Sequence, residues 1–329
     1  MSRTVRFHAY GDASVLQIET LEVPAPAADE VQIAVKAIGL NRAEVMFRSN
    51  HYLQQAEFPS RLGYEAAGRV QAWGSDVSGF AEGDAVSLIP PLDIARWGTY
   101  GELINVPAYL TVKHPGNLSF EQAAASWMQY VTAWGALIDQ AKLNKEDFVM
   151  VTAASSSVGL AAFQIARKVG ATAIAITRSR GKAQALLEAG AAHVIVSNEE
   201  DIVERVMALT DGKGARVVFD PVGGPAFEAL TASMARGGIL LEYGALSSEP
   251  TPFPQFTVLG KSLTLKGYLY NEIVSDPAAL ARAKAFILDG LASGELSPII
   301  ARTFALDDIQ QAHRYLEANQ QVGKVVVTV

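Results

Sequence analysis

The residues with the clearest chemical potential form a short turn between a strand-like and a helix-like segment. Residues 148–152 are mostly apolar, residues 158–169 have helical periodicity, and two alanines and three serines connect them. When the side chains of such a turn are small, its backbone N–H groups and the helix N-terminus can bind the pyrophosphate of a dinucleotide. The simpler alternative is a serine that only caps the helix. Because the turn follows the first strand of an alternating series, the sequence favours dinucleotide binding.

The same turn keeps only part of the usual glycine pattern. In G-x-G-x-x-G or G-x-x-G-x-x-G, glycines allow a tight turn and a close approach of the backbone to the ligand. Here Ala153 and Ser156 replace two of these glycines, and only Gly159 remains, where the helix must pack closely on the sheet. The turn therefore predicts a cofactor site by its placement more than by its residues.

Cations follow the second strand of the series. An enzyme that uses NAD places Asp or Glu near this point to bind the ribose hydroxyls, but residues 177–182 are Thr-Arg-Ser-Arg-Gly-Lys and no carboxylate occurs before Glu188. Three cations and a hydroxyl can neutralise a 2′-phosphate. The alternative is a solvated basic helix start, although cations in a first turn oppose the helix dipole. The segment therefore predicts NADP(H) rather than NAD(H).

Two later turns, at residues 220–224 and 243–247, contain glycine and end the fourth and fifth strands of the series. Either turn could contact a cofactor or simply begin a helix. For Asp220 both interpretations stay open, whereas Gly244 and Ala245 favour a cofactor contact.

The composition excludes several kinds of chemistry. The 329-residue chain has no Cys, which removes disulfides, Cys nucleophiles and thiolate zinc sites, and its five His residues are scattered singly, so we predict no bound metal. The net charge of −7 argues against a general nucleic-acid or anionic-membrane surface. No uncharged apolar run reaches the roughly 18 residues of a membrane span. We therefore expect a small-molecule partner and a cytoplasmic location.

The elements that must position these residues change character along the chain. Residues 1 to about 120 are short period-two segments bounded by Gly and Pro, which predict a β-rich domain of antiparallel strands. Ser119 can cap a helix that continues to about Ala141. Between residues 148 and 267, apolar strands alternate with helices, which predicts a doubly wound parallel sheet. The final segments are β-like again, so we expect one domain of residues 1–121 and 271–329 and another of residues 122–270.

Six segments carry a family pattern, at residues 39–44, 62–70, 79–86, 131–134, 157–162 and 323–327. Together they resemble the medium-chain dehydrogenase/reductase superfamily, in its zinc-independent quinone oxidoreductase branch, the relatives of zeta-crystallin. The resemblance runs from end to end of the chain. It implies an α/β protein with a GroES-like β-rich catalytic domain, an inserted Rossmann domain and an active site in the cleft between them.

Zinc-dependent members of this superfamily carry Cys, His and Cys ligands where this sequence has Asn41, Tyr64 and Met128. Tyr and Met are poor zinc ligands, and the Cys-rich lobe that holds structural zinc is missing. The resemblance therefore implies a zinc-independent enzyme.

The resemblance also implies roles for individual residues. Asn41 and Thr132 are expected to hold the nicotinamide, with Lys324 close by. The alternatives are a turn residue, a helix hydroxyl bonded to its own backbone and a solvated charge, respectively. The other expected cofactor contacts are Ser156, Ser157 and Val158 at the pyrophosphate, Thr177, Arg178 and Lys182 at the 2′-phosphate, and Gly244, Ala245 and Leu246 beside the nicotinamide.

Tyr52 and Asn41 are the expected catalytic residues. The hydroxyl of Tyr52 can hydrogen-bond a quinone or enone oxygen as charge develops there. This branch often has a second Tyr six residues earlier, where this chain has Met46. His51 is more typical of a surface residue, and Glu44 and Glu65 are more typical of structural carboxylates than of bases; none of the three is expected to be catalytic.

These expectations define a zinc-independent, NADPH-dependent oxidoreductase that transfers hydride to a quinone or an α,β-unsaturated carbonyl. Two alternatives remain: an enoyl-thioester reductase of the same superfamily, and a crystallin-like protein that binds NADPH without turnover. The resemblance further implies a homodimer in which the fifth and sixth strands of the parallel sheet pair with a second subunit.

Overall fold

The computed structural model describes residues 1–329 and contains fifteen strands and eleven α-helices. The strands are β1 (Ser2–Arg6), β2 (Gln17–Leu21), β3 (Glu30–Leu40), β4 (Glu65–Trp73), β5 (Ala85–Leu88), β6 (Leu103–Pro107), β7 (Thr111–Lys113), β8 (Phe148–Val151), β9 (Thr172–Thr177), β10 (His193–Val196), β11 (Ala215–Asp220), β12 (Met234–Glu242), β13 (Thr264–Gly267), β14 (Ile300–Ala305) and β15 (Lys324–Thr328). The helices are α1 (Arg42–Arg48), α2 (Phe120–Ala124), α3 (Trp127–Trp134), α4 (Ser157–Val169), α5 (Ala183–Glu188), α6 (Ile202–Leu209), α7 (Ala226–Ala232), α8 (Gln255–Lys261), α9 (Asn271–Val274), α10 (Pro277–Ser293) and α11 (Ile309–Glu317).

The chain forms two compact units, one of which is discontinuous in sequence. The first unit consists of Met1–Met128 and Leu288–Val329, and the second of Gln129–Ile287. The divisions therefore fall inside helices α3 and α10, whereas the boundaries predicted from the sequence lie at 121/122 and 270/271. A change in the hydrophobic pattern marks where strands are followed by helices. It does not mark a domain boundary, because a helix can continue from one unit into the next.

The second unit is built on a six-stranded sheet in which every strand pair is parallel. The strand order is β10-β9-β8-β11-β12-β13, which is the doubly wound order of dinucleotide-binding folds, and the predicted fold class is confirmed. The strands are apolar because helices cover both faces; Met150, Ile174 and Val218 are fully buried.

β12 is paired on both sides, so the expectation that this fifth strand pairs with a second subunit is wrong. Only β10 and β13 have free edges.

The first unit is organised by the long strand β3. One side of β3 pairs with β4 along most of its length, while the other side pairs with β6 through Glu30–Ala34 and with β15 through Ala37–Leu40. All of these pairs are antiparallel, as predicted, but β14 and β15 are parallel to each other. They can be parallel because helix α11 connects them. β3, β4 and β15 bring Gly39 beside Glu65, and Leu40 beside Val325, at one end of the sheet.

Helix α2 packs on this sheet through small residues. Ser119 caps the helix as predicted, accepting a hydrogen bond from the backbone N–H of Gln122 at 3.2 Å. Ala123, Ala124 and Ala125 are buried against the sheet. The helical run predicted to reach Ala141 is interrupted by a turn at residues 125–126 and ends in a π-helical segment, Gly135–Gln140. No helix is both long and apolar enough to cross a lipid bilayer.

Candidate active site

The serine turn of the second unit connects β8 to α4 and exposes a helix N-terminus. Ser156 caps α4, and its side chain accepts a hydrogen bond from the backbone N–H of Gly159 at 3.1 Å. Its capping role is compatible with ligand binding, because the first backbone N–H groups of a helix have no partner inside the helix. Those groups belong here to Ser157 and Val158. The positive end of the dipole of this 13-residue helix is therefore available to an anion.

The geometry of the turn explains which glycines the chain can lack. A Cβ atom at Gly159 would lie 2.6 Å from the carbonyl oxygen of Ala154, so this glycine is required. Ser156 has the extended conformation of a helix cap, with φ at −70°, which any residue can adopt. Ala153 instead has φ at +44°, a left-handed conformation that favours glycine. The turn keeps the shape of the glycine-rich pattern at the cost of strain at one alanine.

The three cations after β9 differ in what they contact. Arg180 is paired with Glu199, with 2.7 Å between Nε and Oε2. Lys182 extends to the serine turn and donates to the Ser155 hydroxyl at 2.9 Å. Arg178 is exposed and makes no ion pair, and its charge, after the larger effect of burial, lowers the pKa of Lys182. Arg178 and Lys182 therefore form a positive region close to the turn, whereas Arg180 is already neutralised.

Asp220 ends β11 and has a structural role. It is fully buried, and its carboxylate accepts hydrogen bonds from the backbone N–H groups of Val222 and Gly223 at 2.9 and 3.1 Å. The Thr152 hydroxyl donates to it as well. Of the two interpretations that the sequence left open for Asp220, these contacts favour the start of the following turn.

Glu242, at the end of the neighbouring strand β12, is a residue that sequence reasoning missed. Asp220 and Glu242 are in register on adjacent parallel strands, and no protein donor reaches either oxygen of Glu242. Burial, and secondarily the charge of Asp220, raise the pKa of Glu242 to about 9. Glu242 is therefore protonated and neutral near pH 7, beside the carboxylate of Asp220. The sequence did contain a signal for this pair, because Asp220 and Glu242 each stand at the carboxyl end of a predicted strand.

A cavity of about 460 Å³ lies within the second unit beside Glu242. Gly244 and Ala245, two of the residues expected beside the nicotinamide, line it, together with Val222 and Gly223. A side chain at Gly244 would approach the carbonyl oxygen of Pro221 to 2.8 Å, so the wall requires glycine. Leu246 is half-exposed and follows this wall. Thr132 lies on α3 and is buried.

In the first unit, three strand ends bring Asn41, Glu65 and Lys324 together. Lys324 is 1% exposed, forms an ion pair with Glu65 and donates to Asn41 Oδ1 at 2.6 Å. The Nδ2 atom of Asn41 donates to the carbonyl oxygen of Gly39 and to Glu65, both at 3.2 Å. Lys324 is thus a buried ion-pair member, and it fixes the orientation of the Asn41 amide.

A buried polar chain continues from Asn41 toward α11. Glu44 accepts hydrogen bonds from the backbone N–H groups of Asn41 and Tyr64, at 2.7 and 2.9 Å, and from the Tyr100 hydroxyl at 2.6 Å. Burial raises the pKa of Glu44 to about 7 against these bonds, and burial lowers the pKa of His313 to about 3. Neutral His313 then donates from Nε2 to the Tyr100 oxygen, 3.1 Å away. Tyr100 and His313 gave no local sequence signal, because they are 213 residues apart.

Tyr52 contacts a second tyrosine of the first unit. The hydroxyl oxygens of Tyr52 and Tyr64 are 2.8 Å apart, and the ring of Phe47 packs edge-on against Tyr52 at a centroid distance of 6.5 Å. His51 is exposed, as expected of a surface residue. No group of three or more His, Asp or Glu side chains is arranged to hold a metal ion.

Two known protein families match separate parts of the chain, one within each compact unit. Residues 27–116 match the alcohol dehydrogenase GroES-like domain, and residues 157–285 match the zinc-binding dehydrogenase family. The sequence is 34% identical to quinone oxidoreductase 1 of Escherichia coli K12 over 98% of each chain. The crystal structure of the Escherichia coli quinone oxidoreductase in complex with NADPH matches all of both chains, with a TM-score of 0.91 and 32% identity.

Two further solved structures are similar over 99% of both chains. One is an NAD-dependent alcohol dehydrogenase, with a TM-score of 0.91 and 32% identity. The other is the CurK enoyl reductase, with a TM-score of 0.89 and 26% identity. The same architecture is therefore found with different cofactors and substrates.

Proposed function

This chain belongs to the quinone oxidoreductases of the medium-chain dehydrogenase/reductase superfamily, and from this membership we propose that it is an NADPH-dependent oxidoreductase. Its substrate is a quinone or an α,β-unsaturated carbonyl. The observation that carries the proposal is the turn after β8, with Arg178 exposed and Lys182 reaching Ser155, in a chain similar throughout its length to a quinone oxidoreductase.

The residues of the second unit fit NADP(H). The backbone N–H groups of Ser157 and Val158, which have no partner inside the helix, suit the pyrophosphate, and Arg178 and Lys182 supply positive charge for a 2′-phosphate. When bound, the cofactor supplies a hydride. The chain's own residues bind and orient it. The proposed contacts are Ser156, Ser157, Val158, Thr177, Arg178, Lys182, Thr132, Gly244, Ala245 and Leu246.

In the first unit we assign Asn41 and Tyr52 to the reaction and Lys324 to the support of Asn41. With Lys324 on its Oδ1 and three acceptors, from Gly39, Glu44 and Glu65, around its Nδ2, Asn41 keeps one orientation. One oxygen lone pair is left for a ligand donor. Tyr52 offers a hydroxyl to the substrate oxygen. A preorganised hydroxyl donor of this kind stabilises the negative charge that develops on the substrate oxygen.

The experiment that tests this function measures NADPH oxidation with a panel of quinones, enones and enoyl thioesters, beside NADPH binding in the absence of substrate. We expect turnover with quinones or enones and none that depends on a metal. EDTA should leave the rate unchanged, and a loss restored by zinc would overturn the zinc-independent assignment. Binding of NADPH without turnover of any substrate would instead support the crystallin-like alternative.

An enoyl-thioester reductase is the second candidate, favoured by the similarity to the CurK enoyl reductase. Faster turnover of an enoyl thioester than of a quinone or a simple enone would support it. The same panel of substrates therefore separates the two activities.

We also propose a homodimer in the cytoplasm. A second copy can extend the parallel sheet at the free edge of β13. Three large apolar side chains on or just before the nearby helix α8 are exposed and would be covered by such a partner. They are Phe253, Phe256 and Leu259, which are 68%, 87% and 67% exposed.

A further inference from the structure

Tyr52 and Tyr64 form a hydrogen-bonded pair whose members differ in exposure. Their hydroxyl oxygens are 2.8 Å apart. Tyr64 is 2% exposed, whereas Tyr52 is only partly buried. Each hydroxyl has one proton, so the residue that donates within the pair leaves the proton of the other free. Only Tyr52 is open to a substrate.

Tyr64 is the member that the backbone holds in place. The preceding residue, Gly63, has φ at +121°, and a Cβ there would lie 2.3 Å from Thr99 Oγ1. The backbone N–H of Tyr64 donates to the buried carboxyl of Glu44 at 2.9 Å. Tyr52, by contrast, lies in an irregular segment between α1 and β4. The fixed tyrosine can therefore orient the one in the loop.

We infer that Tyr64 is a positioning residue: it donates its hydrogen bond to Tyr52 and so makes Tyr52 the proton donor to the substrate oxygen. This inference rests on the proposed reductase function. It adds a residue to the reaction that does not itself touch the substrate, and it assigns a direction to the hydrogen bond between the two hydroxyls.

The proposed step adds one hydride and one proton to the substrate. Hydride addition brings two electrons to the substrate and leaves negative charge on its oxygen. The O–H bond of Tyr52 breaks, an O–H bond forms on the substrate, and Tyr52 becomes a phenolate that accepts the hydrogen bond of Tyr64. Water then returns a proton to Tyr52. A hydrogen bond to a charged oxygen is stronger than one to a neutral oxygen, so Tyr64 contributes most when the proton has left.

The electrostatics of Tyr52 agree with this role. Burial raises the pKa of Tyr52, the hydrogen bond of Tyr64 lowers it, and the charge of Glu44 raises it by a smaller amount. Loss of the Tyr64 hydroxyl should therefore move ionisation of Tyr52 to higher pH. A residue that only filled space would have no such effect.

The test compares wild type, Tyr52→Phe, Tyr64→Phe and the double variant, with Tyr109→Phe as a control at a half-exposed tyrosine of the same unit. We expect Tyr64→Phe to lower kcat with the best quinone or enone about tenfold, without changing NADPH affinity. In the Tyr52→Phe background it should add less than about twofold, because the residue that it positions is already lost. The control should retain wild-type kcat.

A second readout does not depend on turnover. Tyrosinate absorbance is titrated in each variant, and subtracting Tyr52→Phe from its parent isolates the ionisation of Tyr52. We expect this ionisation, and the basic limb of the pH profile of kcat, to move to higher pH in Tyr64→Phe.

A failure of the Tyr64 inference can be distinguished from a failure of the proposed reductase function. Equal losses from Tyr64→Phe in both backgrounds, or an unchanged Tyr52 titration, would overturn the inference and leave the reductase function standing. A wild-type protein that binds NADPH but reduces no substrate would overturn the function, and the inference with it. Coupled losses together with a shifted titration would support both.

Discussion

The arginines near the proposed cofactor site differ in whether an acidic side chain of the protein already pairs with them. Arg180 is paired with Glu199, whereas Arg178 makes no ion pair. The two arginines are therefore two residues apart in sequence but differ in the charge that each offers a ligand. Sequence alone could not separate them, because Glu199 belongs to the loop after β10.

This difference predicts the cofactor preference of two variants. Arg178→Ala should weaken NADPH binding about 10- to 100-fold, the effect of losing a hydrogen-bonded charge pair, and should change NADH binding little. Arg180→Ala is the matched control and should have a smaller effect on NADPH. Fluorescence titration of wild type and both variants with each cofactor measures the six dissociation constants. Equal weakening of NADH and NADPH by Arg178→Ala would contradict a 2′-phosphate contact.

The acid pair at the ends of β11 and β12 predicts a pH-dependent stability. Because the pKa of Glu242 is about 9 in the folded protein, against an ordinary value of 4.5, the folded state retains a proton that the unfolded state releases. The free energy of unfolding therefore falls as pH rises from about 4.5 to about 9. Glu242→Gln removes this titration and keeps a neutral group beside Asp220. At about 1.4 kcal/mol per pH unit above 4.5, the variant should be up to about 5 kcal/mol more stable than wild type near pH 8.

Denaturant unfolding at several pH values measures this effect. The two proteins should be closest in stability below about pH 4.5, where Glu242 is protonated in both states. Glu146→Gln, at an exposed carboxylate, is the control and should follow wild type throughout. A Glu242→Gln variant that is less stable than wild type near pH 8 would show that the pair does not hold a proton.

At the scale of elements, the site of the first unit depends on how closely α2 approaches β3. A Cβ at Gly39 would lie 2.2 Å from the carbonyl oxygen of Ala124 and 3.0 Å from Lys324 Cε. Gly39 therefore sets the distance between helix and sheet at the point where Asn41, Glu65 and Lys324 meet. Its role is steric, since it stands in the extended conformation of a strand.

Gly39→Ala should therefore destabilise the protein by about 2 kcal/mol or more, as overpacking of a tight contact does. Gly116→Ala is the matched control, because nothing lies within 4 Å of a Cβ at Gly116. Thermal and denaturant unfolding of both variants provide the measurement. Similar stabilities for the two variants would mean that α2 can shift without cost.

At the scale of the whole molecule, an uncovered strand edge and an apolar helix surface predict assembly. Unpaired strand edges and exposed apolar patches are both features that proteins normally cover. We expect a dimer by light scattering, and Phe256→Lys should weaken it by about thirtyfold or more, because the variant places a charge in the proposed apolar interface. Leu187→Lys, at a half-exposed leucine of α5, is the control and should remain dimeric. A monomeric wild type would exclude this assembly.

Local sequence patterns were sufficient to predict the alternation of strands and helices in the second unit, and with it the fold class. β8 and α4 begin and end within one residue of the segments predicted at 148–152 and 158–169, because periodicity and turn residues act locally. The serine turn and the basic segment were also recognisable, since each lies within one short stretch of chain.

Which distant charged groups neutralise one another could not be predicted from local sequence and is known from the fold. Lys324 reads as a strand-start charge in sequence, yet the pairing of β15 with β3 buries it against Asn41, 283 residues away. Glu242 finds Asp220 through the register of two parallel strands. Charge and burial depend on neighbours in space, and strand order and register, which no local pattern encodes, determine those neighbours.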